Sequence, residues 1–282
     1  MKRWLNLWAW NKKVSECLLP LLGSHQAPAF RQLWRVAGIY PRTINLAAND
    51  GALLTLHRAG EGVSPMGWVL RHDDHQRLRL ALKRDTPISV TEQGLDLAGY
   101  HLVAPQRKCS LRLPDKPADT GLQTSLLYCN AETGLYGPLS TIASQPLPTE
   151  LRQFQRSFRA ALAGKAVHWC RMLGKGPGLT PTHDDILVGM LLAGWYHRRL
   201  SAEGGAHFFD ASVELKATTT QVSVNYLRFA AQGVFSSPLL HFAHSLTSPT
   251  RLPFATRQLL SLGHTSGADT LLGFWLGQRV VL

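Results

Sequence analysis

The sequence is poor in cysteine, in acidic residues and in long apolar runs, and each shortage excludes something. Only four cysteines occur in 282 residues (Cys17, Cys109, Cys129 and Cys170), and none forms a CxxC pair. That excludes a zinc ribbon or a disulfide scaffold and gives a reducing cytoplasm as the expected compartment. No stretch approaches the roughly 18 consecutive apolar residues of a membrane-crossing helix. Eighteen Asp and Glu stand against 30 Lys and Arg, leaving a net charge of +12. Such an excess suits a polyanion, a membrane surface or a small anionic substrate, and does not choose between them. Apolar residues make up 45% and charged residues 17% of the chain, so a sizeable core is available and wholesale disorder is excluded. At roughly 150 residues per domain, the length allows one large domain or two modest ones.

The start, Met1 to Lys13, mimics a signal peptide, with Lys2 and Arg3 before an apolar run from Trp4 to Trp10. Asn6 interrupts that run, and Lys12 and Lys13 stand where a small-residue cleavage site belongs. The segment reads as an amphipathic docking arm. From Val14 to Val36 the pattern is short and helical, broken by Pro20 and Gly23. Ile39 to Leu46, Leu53 to His57 and Met66 to Arg71 are β-prone runs separated by the turn residues Asn49-Asp50-Gly51 and Gly60-Glu61-Gly62. Asp73 to Arg84 reads as a surface helix. Ile88 to Val90, Leu95 to Leu97, His101 to Val103 and Ser110 to Leu113 read as further strands.

Pro114 to Gly121 carries two prolines and a glycine and is the expected linker. Beyond Pro148 the strand signal gives way to helical spacing in Leu151–Leu173, Asp184–Leu200, Phe208–Ala217, Gln221–Ala231, Pro238–Leu246, Phe254–Leu262 and Ala268–Val280. Strand and helix do not alternate, which disfavours a doubly wound nucleotide fold. The expected fold is α+β, with a mainly antiparallel β N-terminal half followed by a helical C-terminal half. The expected division is a β unit over 1–113, a connecting segment over 114–147 and a helical domain over 148–282.

The most informative segment is Gly174-Lys-Gly-Pro-Gly-Leu-Thr-Pro-Thr-His-Asp-Asp185, which leads into the apolar helix from Ile186. Gly174, Gly176 and Gly178 free the backbone for positive φ and uncover amide N–H groups. Ahead of a helix, such a loop suits an anion, with Lys175 adding formal charge. It is neither a Walker loop nor a dinucleotide fingerprint. On the bland reading, Thr182 and Asp185 form a capping pattern and Pro181 marks a helix start. A cap needs one carboxylate, however, and Asp184 and Asp185 are adjacent, so one can face a cleft. Gly263-His-Thr-Ser-Gly-Ala-Asp-Thr-Leu-Leu272 echoes this segment 85 residues on, pairing Gly178/Gly263, Thr180/Thr265, Asp184/Asp269 and Leu187/Leu272. Two such helix starts can converge on one anion or one metal-bound substrate; chance similarity is the alternative, since helix starts favour these residue types.

These two motifs, GxGPGLTPxxDDxLxG and GHxSGADxLxG, resemble those of the AllH-type family, which includes a subunit of oxamate carbamoyltransferase and many members described only as a domain of unknown function or a carboxylase. The likeness extends to Asn45–Thr55 and Thr218–Leu227. It implies carbamoyl transfer between carbamoyl phosphate and oxamate in purine and allantoin nitrogen metabolism, beside partner subunits. The family usually has glycine where this chain has His183, and that residue either fills the pocket or adds a ligand.

The chemistry of transfer assigns candidate roles. Gly174, Lys175, Gly176 and Gly178 would hold phosphate, and Thr180, Thr182, His183, Thr265, Ser266 and Gly267 would complete substrate binding. Asp184, Asp185, His264 and Asp269 are the catalytic candidates. The three aspartates are also candidate ligands for Mg²⁺, or one of them orients the nucleophilic amide. The second class of function is a non-catalytic, anion-binding scaffold or regulatory subunit.

Other signals weigh less. His241 and His244 have i, i+3 spacing but no nearby third ligand, and they read as solvent-facing. Cys170 reads as an inert buried thiol. The basic run Arg71 to Arg84 lacks interleaved aromatics and includes Asp73 and Asp74, so nucleic acid is not an expected partner.

Overall fold

The computed structural model describes residues 16–30, 33–114, 125–211 and 215–282. The docking arm at Met1–Lys13 and all but the first residue of the linker at Pro114–Gly121 lie outside the described residues. Strands β1 (Glu16–Leu18), β2 (Leu22–Ser24), β3 (Trp34–Ile39), β4 (Thr43–Ala48), β5 (Leu53–Arg58) and β6 (Gly67–Leu70) precede helix α1 (His72–Ala81). Strands β7 (Ile88–Val90), β8 (Gly94–Leu97), β9 (Tyr100–Val103) and β10 (Lys108–Cys109) follow it. A small hairpin of β11 (Glu132–Thr133) and β12 (Gly137–Pro138) leads into α2 (Leu139–Ser144) and α3 (Thr149–Leu162). The helices α4 (Thr182–Tyr196), α5 (Ala202–Ala206), α6 (Leu215–Thr218), α7 (Gln221–Ala231), α8 (Ser237–Ser245), α9 (Leu252–Leu260) and α10 (Ser266–Val281) make up the rest. The fold is α+β in the expected order.

One sheet runs β10-β2-β6-β5-β4-β3 and another β1-β9-β8-β7. Pairing is mainly antiparallel, with β1/β9, β2/β10 and β5/β6 parallel. The helical reading of Val14–Val36 is corrected: the described part holds β1, β2 and the start of β3. Pro20 and Gly23 cut it into pieces too short for a stable helix, and Leu22 and Gly23 pair instead with Val69 and Trp68 of β6. The run Ile39–Leu46 spans two strands, because the chain turns at Tyr40–Arg42 and Tyr40 N–H bonds to Thr43 O at 2.8 Å. The expected strand at Ser110–Leu113 reduces to one bridge, Arg112 to Val234. The helix expected over Leu151–Leu173 stops at Leu162: Gly164 adopts φ 75°, and Lys165 N–H bonds back to Ala160 O at 3.0 Å, a glycine-dependent C-terminal cap. Of the helix expected over Phe208–Ala217, the described residues show turns up to Ala211 and then α6 from Leu215.

Strand periodicity decides what each face of the larger sheet meets. Ile44, Leu46, Ala48, Leu54 and Leu56 point into a core shared with the second sheet and with Leu78 and Leu82 of the α1 region. Thr43, Asn45, Ala47, Leu53, Thr55 and His57 alternate with them and so take the opposite face, where Ala47, Leu53 and Met66 pack on Val222, Tyr226 and Phe229. On the far side of this layer, α4 is buried from Thr182 to Gly194 and α10 from Gly267 to Gln278, the signature of central helices apolar on all sides.

These two helices touch backbone to backbone. A Cβ on Gly189 would lie 2.0 Å from Thr270 O, and one on Gly273 would lie 2.0 Å from Ile186 O. The contact is reciprocal, each residue meeting the counterpart of its own neighbour 84 positions away. The echo of the two motifs therefore shifts by one residue inside the helices, and Asp185, not Asp184, becomes the equivalent of Asp269.

Candidate functional site

The glycine loop before α4 is held by packing. Gly174, Gly176 and Gly178 have φ of 77°, 119° and 88°. A Cβ on Gly174 would sit 2.2 Å from Thr218 O, and one on Gly176 would sit 2.5 Å from Thr182 N. The capping pattern is not used: Pro181 stands at the N-cap, and no side chain caps the helix. Instead the Asp184 carboxylate reaches back, accepting Gly174 N–H at 2.8 Å and the Thr219 hydroxyl. The Gly174 amide is thereby occupied within the protein rather than offered to an anion. Of the polar stripe at Thr218–Asn225, Thr219 joins this network and Thr220 caps α7 by accepting Ser223 N–H at 3.1 Å.

The two motif helices start side by side. Thr180 Oγ1 and Ser266 Oγ are 2.8 Å apart, and Asp269 accepts Gly134 N–H at 3.0 Å. Gly134, at the tip of the β11–β12 hairpin, wedges between them: a Cβ there would meet Thr182 Oγ1 at 2.1 Å and Thr265 Oγ1 at 3.2 Å. Asp184, Asp185 and Asp269 are 1%, 7% and 0% exposed. Burial raises all three carboxyl groups above the ordinary range. For Asp184 it is opposed by the Gly174 amide and neighbouring hydroxyls, and for Asp269 by the Gly134 amide and the Thr265 and Thr182 hydroxyls. Asp185 is pushed up furthest: burial dominates, the nearby Asp269 and Asp184 charges add to it, and the Ser266 and Thr180 hydroxyls oppose it.

Asp185 opens onto a cavity of about 560 Å³ between the larger sheet and the helices. Thr180, Gly263, Ser266, Thr270 and Tyr226 reach it from the helical half, and Asn45, Thr55, His57 and Ser64 from the β-rich half. The Asp185 Oδ2 atom is buried and has no hydrogen-bond partner, an arrangement that costs folding free energy unless a donor fills it. Across the cavity, Thr55 Oγ1 donates to Asn45 Oδ1 at 2.9 Å. His57 Nε2 accepts Ser64 N–H at 3.1 Å and lies 2.8 Å from Ser64 Oγ. Burial, with a smaller contribution from His75, lowers the His57 pKa to about 4. Burial likewise pushes Tyr226 up to about 12. Both are therefore uncharged near neutrality. Among the described residues Arg42 is the one Lys or Arg lining this cavity; it donates to Ser261 O at 3.3 Å and lies 3.5 Å from the Glu61 carboxylate, which also lines the cavity.

This sheet wall carried no assigned role in the sequence reading. Its signal is the period-two polar series Thr43, Asn45, Thr55 and His57 inside strands that are otherwise apolar; Asn45, Thr55 and His57 are all buried.

Lys175 and His183 face elsewhere, lining a second hollow of about 670 Å³ beside α3. His183 is saturated: Nδ1 lies 2.6 Å from Met172 O and Nε2 lies 2.6 Å from Tyr136 Oη. Its ring stacks on Tyr136 at 5.9 Å, and burial lowers its pKa. The imidazole thus fills space and leaves no nitrogen for a ligand. His264 is exposed and lines neither cavity. Gly267 serves packing, since a Cβ there would sit 2.0 Å from Leu259 O.

The three aspartates do not fit Mg²⁺. Among the described residues, no three of His, Cys, Asp and Glu come together in a way that could hold a metal ion. Both Asp184 oxygens are engaged, one by Gly174 N–H and the other by the Thr219 hydroxyl, and Asp269 Oδ1 accepts Gly134 N–H. His241 is engaged with Gln258 Oε1 at 2.6 Å.

Two family models match. The one described as oxamate carbamoyltransferase subunit AllH covers residues 172–278, and the AllH family N-terminal domain covers residues 14–111. The chain belongs to the AllH family. The first match contains both glycine motifs, and the second contains the Asn45, Thr55, His57 and Ser64 wall, so the cavity is built from the two matched regions together. No solved structure matches the chain. No helix among the described residues is long and apolar enough to cross a membrane.

Proposed function

We propose that this chain is the acceptor-binding subunit of an oxamate carbamoyltransferase, working with partner subunits to move a carbamoyl group between carbamoyl phosphate and oxamate in purine and allantoin nitrogen metabolism. In the forward direction the oxamate nitrogen adds to the carbamoyl carbon, the C–O bond to phosphate breaks, and the nitrogen gives up a proton, yielding oxalurate and phosphate. The observation that carries this reading is the unpartnered Asp185 Oδ2 in a cavity that also presents hydroxyls, the Asn45 amide and the Arg42 guanidinium. Oxamate brings an amide N–H to that oxygen and a carboxylate for the Arg42 guanidinium and the Thr180 and Ser266 hydroxyls.

A carboxylate with a raised pKa is also a better proton acceptor than an ordinary one, so Asp185 both orients the amide and takes its proton. Asp184 and Asp269 act as positioning residues, fixing the glycine loop and the Gly134 hairpin around it.

Calorimetric titration of the chain with oxamate tests the assignment. Asp185→Asn should weaken binding at least about tenfold, the worth of one hydrogen bond to a charged group, while Lys175→Gln leaves it unchanged. Oxamate binding that survives Asp185→Asn intact removes the acceptor role.

A further inference from the structure

We propose that the hollow beside α3 is a binding site for an organic phosphate, separate from the acceptor cavity. Among the described residues, Arg156, Arg171 and Lys175 line it against one acid, Glu150. Arg156 donates one bond to Gln153 Oε1 at 2.8 Å. Arg171 and Lys175 form no ion pair or side-chain hydrogen bond among the described residues. Two uncompensated cations beside a third suit a phosphoryl dianion, which guanidinium binds in a planar, two-pronged fashion and ammonium as a point charge.

The loop geometry holds Lys175 at this rim. It sits between Gly174 and Gly176, both at positive φ, and its carbonyl accepts His183 N–H at 3.0 Å. The flanking glycines are wedged against Thr218 and Thr182, so the backbone carrying the ammonium is fixed before any ligand arrives. Part of the lining is of a different kind: Phe154, Ala160, Ala166, Val167 and Met172 add apolar surface, beside polar groups such as Gln153 and Ser157. A ligand that uses the whole space therefore carries a phosphoryl group at one end and an apolar body at the other. Inorganic phosphate or carbamoyl phosphate would leave the apolar surface uncovered.

Separation from the acceptor cavity follows from α4. His183 lines this hollow and Asp185 lines the other, and residues two apart on a helix point about 200° apart. The first turn of α4 thus stands between the two. This inference rests on charge and shape at Arg171 and Lys175 and does not require the oxamate reading.

Calorimetry of the full chain with phenyl phosphate and with inorganic phosphate tests it. Phenyl phosphate should bind more tightly than inorganic phosphate. The double variant Arg171→Gln/Lys175→Gln, at two exposed positions, should lose about tenfold or more for both probes while its melting temperature matches wild type. Asp185→Asn should keep wild-type affinity for phenyl phosphate. Unchanged affinity in the double variant, equal affinity for the two probes, or loss of binding in Asp185→Asn would each overturn the proposal.

Discussion

At the scale of single residues, the most consequential group is Asp185, a carboxyl buried with one oxygen unsatisfied. Burial holds its pKa well above the carboxylate range, so the folded chain binds this proton more tightly than the unfolded chain does. The penalty for ionising it is absent below the unfolded value near ~4 and grows as pH rises toward the folded value. Asp185→Asn, which cannot ionise, should therefore melt higher than wild type at pH 7–8, at about 2–4 °C per kcal/mol recovered, and the difference should shrink to nothing by about pH 4. Fluorimetric melting of both proteins across that range checks it; a pH-independent difference would show that the carboxyl is not strained. His57 acts in the opposite sense. Its pKa is lowered to about 4, so the stability tied to its neutral form is lost as pH falls from about 6.5 through 4. Both proteins share that limb, and it cancels in the comparison. The cost of Asp185 fits the common pattern in which a site gives up stability to keep a group ready for its ligand.

At the scale of elements, the α4–α10 contact shows what sequence did and did not reveal. Helix α7 was legible to the residue, Gln221–Ala231, because Thr220 caps it and its apolar spacing is regular. The existence of α4 and α10 was legible from the same signals. Their mutual contact was not, because it depends on Gly189, Gly273 and Gly277 standing where two backbones meet, and a glycine inside a helix reads from sequence only as a small local cost. The one-residue slip in the motif echo was hidden for the same reason. Gly273→Ala puts a methyl 2.0 Å from Ile186 O, so the helices must separate. The expected loss is about 1–3 kcal/mol of stability, measured by urea denaturation. Gly99→Ala makes a useful comparison, since nothing lies within 4 Å of a Cβ there and its cost comes only from its positive φ. The early strands were illegible because three-residue runs such as Leu22–Ser24 acquire meaning only from partners such as Val69, far along the chain.

At the scale of the whole molecule, the cavity belongs to neither half alone. The β-rich half contributes Asn45, Thr55, His57 and Ser64, and the helical half contributes Thr180, Asp185, Ser266 and Tyr226. Residues more than 100 positions apart share one space, which no local motif encodes; only the glycine-bearing helix starts announced themselves. The same scale governs catalysis. The family is named for a subunit, and among the described residues the Asp185 cavity has Arg42 as its one Lys or Arg, too little to neutralise a departing phosphate. Purified alone, the chain should bind oxamate yet turn over carbamoyl phosphate negligibly, with activity appearing when its partner subunits are added. A chain fully active by itself would refute that division of labour.

The hairpin tip at Gly134 gives this arrangement a further property. Its amide ends on Asp269 while its bare Cα is squeezed between Thr182 and Thr265, so it works as a latch bolting the stretch between the two matched regions onto the last helix. The bolt itself cannot acquire a side chain without prising the two motifs apart.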